Sequence, residues 1–268
     1  MRLLRSLFFF SAVAAVFSIP GKNLPQINHV IELSDINMND DQPEDDMIIE
    51  RSPCPAGMIE VKGMYCPDVV QPCLIWLNER GEPKNIRCVA FDKTKCKSKN
   101  RVAKHFCIDE YEYPNIKGEL PKVYMSYLDI EKACNAEGKH VCDESDWTFA
   151  CEGEEARPYA YGDGYIRNKS TCNIDKKFVD PFNPKNADKL DGREPSGNRD
   201  ECVSVFGVHD QLGNADEWVH NTIGKPFKGI LKGGHWLKTR ARCRAETLHH
   251  FEHFSWYETG GRCCQSLK

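Results

Sequence analysis

Oxygen-bearing side chains crowd one ten-residue stretch, DQLGNADEWV, from Asp210 to Val219. Asp210, Asn214, Asp216 and Glu217 flank a Gly213-Asn214 turn, and Trp218 follows at once. A tight turn needs a glycine and one asparagine, not three carboxylates. Hard oxygen donors at short spacing are what calcium uses, at six to eight ligands and flexible geometry. Side chains that stabilise a turn and form a salt bridge are the alternative use of the same residues.

A second cluster is HHFEH, residues 249–253. His249 and His253 lie four apart with Glu252 between, which on a helix is the H-x-x-E-H zinc-protease spacing. The flanking CRAET and FSWYETGGRCC read as strand and turn instead, and a five-residue pattern arises easily by chance. His249, His253 and Glu252 therefore stand as weak catalytic candidates. With His250, Trp256 and Tyr257 they also fit a ligand surface, taking iron, zinc or copper by imidazole, or a glycan or peptide by stacking and polar contacts. A half-buried loop with no ligand is the third reading.

Elements must position these groups. Ser126 and Asp129 predict a capped helix in SYLDIEKACNAEGK, with Tyr127, Ile130, Ala133 and Cys134 on one face and Gly138 at its end. DESDWTFACEG predicts a second helix, capped by Asp143 with Asp146 at the third position and stopped by Gly153; Trp147, Ala150 and Cys151 face inward. LIWL and RCVAF read as strands. Residues 154–200 are rich in Gly, Pro, Asn and Asp and predict long structured loops. Within them, Asn168-Lys169-Ser170 is an N-glycosylation sequon, relevant in a eukaryotic secretory setting.

The 268 residues carry a formal charge of −4, which gives no footprint for nucleic acid. Fourteen cysteines imply an oxidising compartment and disulfides. The set is Cys54, Cys66, Cys73, Cys88, Cys96, Cys107, Cys134, Cys142, Cys151, Cys172, Cys202, Cys243, Cys263 and Cys264. The first six make a Cys-rich part at residues 54–106 and its edge; without a CxxC pair, zinc is the lesser use. Adjacent Cys263 and Cys264 are expected to pair elsewhere rather than with each other. Arg2 and Arg5 precede the apolar run Leu7–Phe17, the layout of a secretory signal over residues 1–18. That run falls short of the roughly 20 residues that span a bilayer. Residues 19–53 read as an acidic disordered linker. The expected product is exported (periplasmic, cell-surface or extracellular), with no transmembrane segment in the mature chain.

CIDEYEYPN (107–115), GKHVCDESDWTFACEG (138–153), RPYAYG (157–162), FGVHDQLGNADEWV (206–219), LKGGHW (231–236) and GGRCC (260–264) occur in that order. This ordered set resembles the formylglycine-generating enzyme, or sulfatase-modifying factor, family over residues 54–268. The resemblance implies an irregular α+β, C-type-lectin-like fold with two helices, small antiparallel sheets, long loops and multiple disulfides. It implies calcium held by the side chains of Asp210 and Glu217 and the carbonyls of Gly213 and Ala215. A further family calcium site would involve Asn173 and Ile174.

Copper-dependent members grip Cu(I) between two cysteines five residues apart, after the glycine pair. Counted from the aromatic, those places fall here on Lys238 and near Cys243; with a gap drawn elsewhere, Cys243 is instead a residue of the family's Arg-rich strand. Either way no Cys-x4-Cys pair exists, so the two-thiolate grip is missing and Cys243 is expected in a disulfide. Other departures are His140 and Cys142 in the helix-start block and the loss of the aromatic from the Gly260-Gly261-Arg262 segment. Arg262 is expected to pair with Glu217 or Asp109. Together these point to a calcium-stabilised binding module for a glycan, peptide or protein. The alternative is a metal-dependent oxidase using histidines, His235 among them.

Overall fold

The computed structural model describes residues 52–81 and 84–267; the signal segment and all but the last two linker residues lie outside them. In chain order the described strands are β1 (Met58–Tyr65), β2 (Val69–Val70), β3 (Cys73–Trp76), β4 (Cys88–Phe91), β5 (Lys95–Cys96) and β6 (Val102–Asp109). Helix α1 (Tyr127–Ala136), β7 (His140–Val141) and α2 (Glu144–Glu152) follow. The chain ends with β8 (Asp216–His220), β9 (Gly229–Lys232), β10 (Glu246–Thr247), β11 (Thr259–Gly261) and β12 (Cys263–Ser266).

Both helices form where caps and periodicity place them. The Ser126 side chain accepts the Asp129 N–H while the Asp129 carboxylate accepts the Ser126 N–H, a reciprocal box that satisfies two otherwise orphaned donors. Tyr127, Ile130 and Cys134 are buried on one face. Asp143 stands at the N-cap position of α2 as expected, but its side chain makes no capping hydrogen bond. Asp146 turns away to take the Lys104 ammonium at 2.5 Å, because a cation is a stronger partner for a carboxylate than an amide.

Two four-stranded sheets carry the body, ordered β1-β6-β12-β7 and β10-β9-β8-β11. All neighbours are antiparallel except β11, which runs parallel to β8 with Thr259 opposite Asp216 and Gly260 opposite Glu217. The predicted strands LIWL and RCVAF become β3 and β4, which pair with each other. One core packs Trp147, Phe149, Ile108 and Val219 between α2 and both sheets. A second packs Tyr127, Ile130, Trp218 and Leu231 under α1.

All fourteen cysteines are bridged. Cys54–Cys107, Cys66–Cys96 and Cys73–Cys88 close the Cys-rich part on itself, which uses up the sulfurs a zinc ion would need. The adjacent pair divides as expected: Cys263 takes Cys134 of α1, and Cys264 takes Cys142 beside β7. Successive residues of a strand point to opposite faces, so each sulfur of β12 meets a different neighbour. Cys151–Cys243 ties α2 to the segment after β9, and Cys172–Cys202 closes the long loop region. Crosslinks of this kind stabilise by typically about 2–4 kcal/mol each through loss of unfolded-chain freedom. They hold loops that regular hydrogen bonding does not.

Candidate functional site

The DQLGNADEWV turn is built from left-handed backbone. Asp210, Gly213 and Asn214 all have positive φ. At Gly213 only glycine is accommodated, since a Cβ would stand 2.3 Å from the Asn173 carbonyl oxygen. Asn214 then clasps three segments. Its Oδ1 accepts from Asn173 Nδ2 at 2.9 Å and from the Glu194 N–H at 2.8 Å. Its Nδ2 donates to Glu112 Oε2 at 2.8 Å and to the Glu194 carbonyl at 3.1 Å.

Beneath this turn lie three buried carboxylates and one guanidinium. Arg262, fully buried, grips Glu217 with two hydrogen bonds of 2.7 and 2.6 Å. Trp147 Nε1 adds a third to Glu217 at 2.7 Å. The remaining Arg262 N–H groups reach the carbonyls of Asp109, Glu110 and His209. Of the two partners expected for Arg262, Glu217 is thus the ion pair; the Asp109 carboxylate pairs with Lys139 at 2.8 Å. Asp210 accepts the Gly197 N–H at 2.6 Å. Glu112 accepts the Ala215 N–H at 3.0 Å.

Burial, and then the charges of Asp210 and Glu217, push the Glu112 pKa well above the usual carboxylate range. Burial raises Asp210 to about 6. Burial alone would lower Arg262, but Glu217, Glu112 and Asp210 outweigh it and keep the guanidinium charged.

For calcium, this donor set divides. Three buried carboxyl groups face one cation, and burial favours the protonated forms of Glu112 and Asp210, a cost that a divalent ion would relieve. The geometry of the expected ligands is different: Glu217 is committed to Arg262 and Trp147, and Asp210 to Gly197. Among the described residues no three His, Cys, Asp or Glu side chains converge on a metal position. Asn173, assigned by resemblance to a further calcium site, stands against this same turn with its Oδ1 buried and unpartnered.

The opposite side of β8 opens on a cavity of about 310 Å³, lined by Asp216, Lys232, His235, Thr239, His250 and Glu258 among others. Asp216 Oδ1 accepts the Gly234 N–H at 2.9 Å, and its Oδ2 stands 3.4 Å from His235 Nδ1. The parallel β8–β11 register brings Glu258 alongside, where its carbonyl accepts the Asp216 N–H at 2.9 Å. Glu258 Oε2 and Thr239 Oγ1 are buried and have no hydrogen-bond partner. Burial raises Glu258 to about 7, with His235 opposing the rise and Asp216 adding to it.

Aromatic rings run outward from this cavity. His235 lies edge-on to Tyr257 at 6.3 Å, Tyr257 tilts against Trp256 at 5.8 Å, and Trp256 meets Phe182 at 6.2 Å. Tyr257 is buried, whereas Phe182 is 82% exposed and Trp256 37%.

The histidine patch is only partly gathered here. His250 lines the cavity and stacks on Phe254 at 3.8 Å, and burial lowers its pKa. His249 and His253 are exposed and do not line that cavity. Glu252 Oε1 instead accepts the Lys228 N–H at 2.7 Å. Residues 248–258 contain no helix, so the helical register of an H-x-x-E-H motif does not form. Lys238 pairs with Glu79 at 2.6 Å, and Cys243 is bridged to Cys151. No two thiols face each other beside Gly233 and Gly234.

Glu112 and Glu258 are the residues that sequence reasoning passed over. Glu112 lies inside the family-like segment CIDEYEYPN, but its partners Asn214 and Ala215 are 102 and 103 positions away. Glu258 carried no spacing signal at all.

A sulfatase-modifying factor enzyme 1-like domain model matches residues 87–266. The inactive C-alpha-formylglycine-generating enzyme 2 of Mus musculus is 29% identical over 127 residues, which are 46% of this chain and 40% of that relative. This chain thus matches less than half of the curated relative's length. Among solved structures, CarF aligns with a TM-score of 0.55 at 13% identity, over 80% of this chain and 99% of CarF. PvdO from Pseudomonas aeruginosa aligns at 0.49 and 15% identity, over 78% and 94%. The motif order, the two-helix disulfide-stapled body and the family match agree: the chain belongs to the sulfatase-modifying factor enzyme 1-like domain family, in its irregular C-type-lectin-like α+β fold.

Proposed function

We propose that this chain is an exported binding module of its family, one that does not generate formylglycine. The observation that carries the reading is the Cys151–Cys243 disulfide. It occupies the one sulfur near the place where copper-dependent relatives put a thiolate pair, and Lys238 takes the other place. A soft Cu(I) ion needs free thiolates, and this chain offers none. The word "inactive" in the name of the mouse relative agrees with this reading. Export is supported by seven disulfides, which persist in oxidising compartments. No helix among the described residues is long and apolar enough to cross a membrane.

The ligand surface is the Asp216–His235–Glu258 cavity with its aromatic rim at Tyr257 and Trp256. The charge of Asp216 adds to the burial that raises Glu258, and a cation between the two side chains relieves that cost. Aromatic faces beside a carboxylate also favour a cation. The ligand is therefore a peptide or protein segment presenting a basic side chain. Calcium belongs to this reading as a stabiliser of the Asp210–Glu217 turn, supported by the surplus of buried carboxylate there.

The test is titration of the purified protein with a short lysine-containing peptide and its alanine counterpart, followed by NMR of the histidine ring signals. The lysine peptide is expected to shift His235, and Asp216→Asn to abolish the shift. Equal response to both peptides would refute the ligand class. Stoichiometric iron or copper that is lost on changing His235 and His250 to Ala would favour the oxidase reading instead.

A further inference from the structure

One motif is left unused by the cavity and by the buried acid cluster: Asn168-Lys169-Ser170, the only N-x-S/T pattern in the chain. Its place in the fold is informative. All three residues are exposed, on a turn where the Thr171 N–H donates to the Asn168 carbonyl at 3.3 Å. The Asn168 side-chain Oδ1 accepts the Ser170 N–H at 2.9 Å, an Asx turn. That bond commits the oxygen end of the carboxamide and leaves the nitrogen end outward; Nδ2 donates no hydrogen bond among the described residues.

The turn is held on both sides. Asn168 N–H donates to the Tyr161 hydroxyl at 3.0 Å. Arg199 Nη1 donates to the carbonyls of Lys169, Ser170 and Cys172 at 3.0 to 3.1 Å, and Cys172 is bridged to Cys202. Beside Asn168 lies a surface hollow of about 360 Å³ lined by Tyr161, Asp163, Ile166, Thr171 and Glu201. A group attached at Nδ2 therefore meets solvent and a polar-aromatic hollow, not the core.

We propose that Asn168 is an N-glycosylation acceptor; the proposal rests on the export reading above and requires a eukaryotic secretory route. The donor is a lipid-pyrophosphate-linked oligosaccharide. Nδ2 forms a bond to C1 of the reducing-end sugar, and the C1–O bond to pyrophosphate breaks. The lipid pyrophosphate leaves with the bonding pair and the amide proton goes to base, so no oxidant or reductant is involved. The product keeps its Oδ1 acceptor, so the Asx turn survives modification.

The experiment is translation of the full chain in the presence of endoplasmic-reticulum microsomes. Protease protection reports translocation, and a mobility shift reversed by peptide N-glycosidase reports the glycan. A protected chain with one such shift is expected, lost in Asn168→Gln and in Ser170→Ala and kept in Ser170→Thr. Both Ser170 substitutions leave the hydrogen bonds described for the turn in place, whereas Asn168→Gln displaces the Oδ1 that accepts the Ser170 N–H but keeps the bonds of the Asn168 backbone to Tyr161 and Thr171. A protected chain without a shift, or a shift that persists in Asn168→Gln, overturns the assignment while leaving export standing. An unprotected chain overturns the export reading and this assignment with it.

Discussion

Removing Arg262 tests the electrostatic centre of the molecule most directly. In Arg262→Ala the buried carboxylates of Glu217, Glu112 and Asp210 lose the guanidinium that faces them, and three backbone carbonyls lose their donor. Breaking a buried ion pair by deleting one partner costs about 3–5 kcal/mol, because the other charge is stranded. For a domain of this size, 1 kcal/mol moves the melting temperature by about 2–4 °C, so the expected drop at neutral pH is about 6–20 °C. Burial raises Glu112 well above the usual carboxylate range and Asp210 to about 6, so both are protonated at about pH 5 and the part of the penalty they carry is relieved; the drop should shrink there. Arg262→Lys restores the charge but not the two-pronged geometry, and should recover part of the loss. The assay is thermal unfolding of the oxidised protein by circular dichroism at one scan rate, at both pH values. A drop of under about 2 °C at neutral pH, well below the cost of stranding a buried charge, would refute the reasoning. So would a drop of equal size at the two pH values.

Three further outcomes are expected. Glu258 has its folded-state pKa raised from 4.5 to about 7, by burial first. The native state therefore holds the proton more tightly than the unfolded chain, and this group's contribution to stability falls as pH rises from about 4.5 to about 7; His235, Asp216, Lys232, Arg240, Glu246 and His250 share the cavity and set the baseline. Glu258→Gln should flatten the stability curve in that window, as denaturant titration at several pH values will show. If calcium sits at the 210–217 turn, a hundredfold excess over its dissociation constant contributes about 2.7 kcal/mol. Chelation should then lower the melting temperature by about 5–10 °C, and an unchanged transition would remove calcium from the reading. Gly213→Ala should destabilise by about 1–3 kcal/mol from strain and overpacking. The comparison is Gly224→Ala, which has a similar positive φ but nothing within 4 Å of its Cβ, and should lose clearly less.

What could be read from the chain alone was local or compulsory. The Ser126 box, the α1 stripe and the β3 and β4 strands depend on neighbours within one turn or one pleat, and spacing encodes those contacts. The division of Cys263 and Cys264 was compulsory, since adjacent cysteines cannot bridge without distortion. That Arg262 would need an acid was legible, and motif order pointed to the family. Tertiary structure decided the rest. Glu112 meets Asn214 across 102 positions, and Arg262 meets Glu217 across 45. The seven disulfide pairings could be assigned only once the sheets had an order. Glu258 reaches the cavity because β11 lies parallel to β8 with Thr259 opposite Asp216, which sets the preceding Glu258 alongside. Side-chain period says which face a residue occupies, but not which distant strand lies next to it. The chemistry of both sites is set by that second fact, because burial and neighbouring charge, not residue type, move their carboxylates.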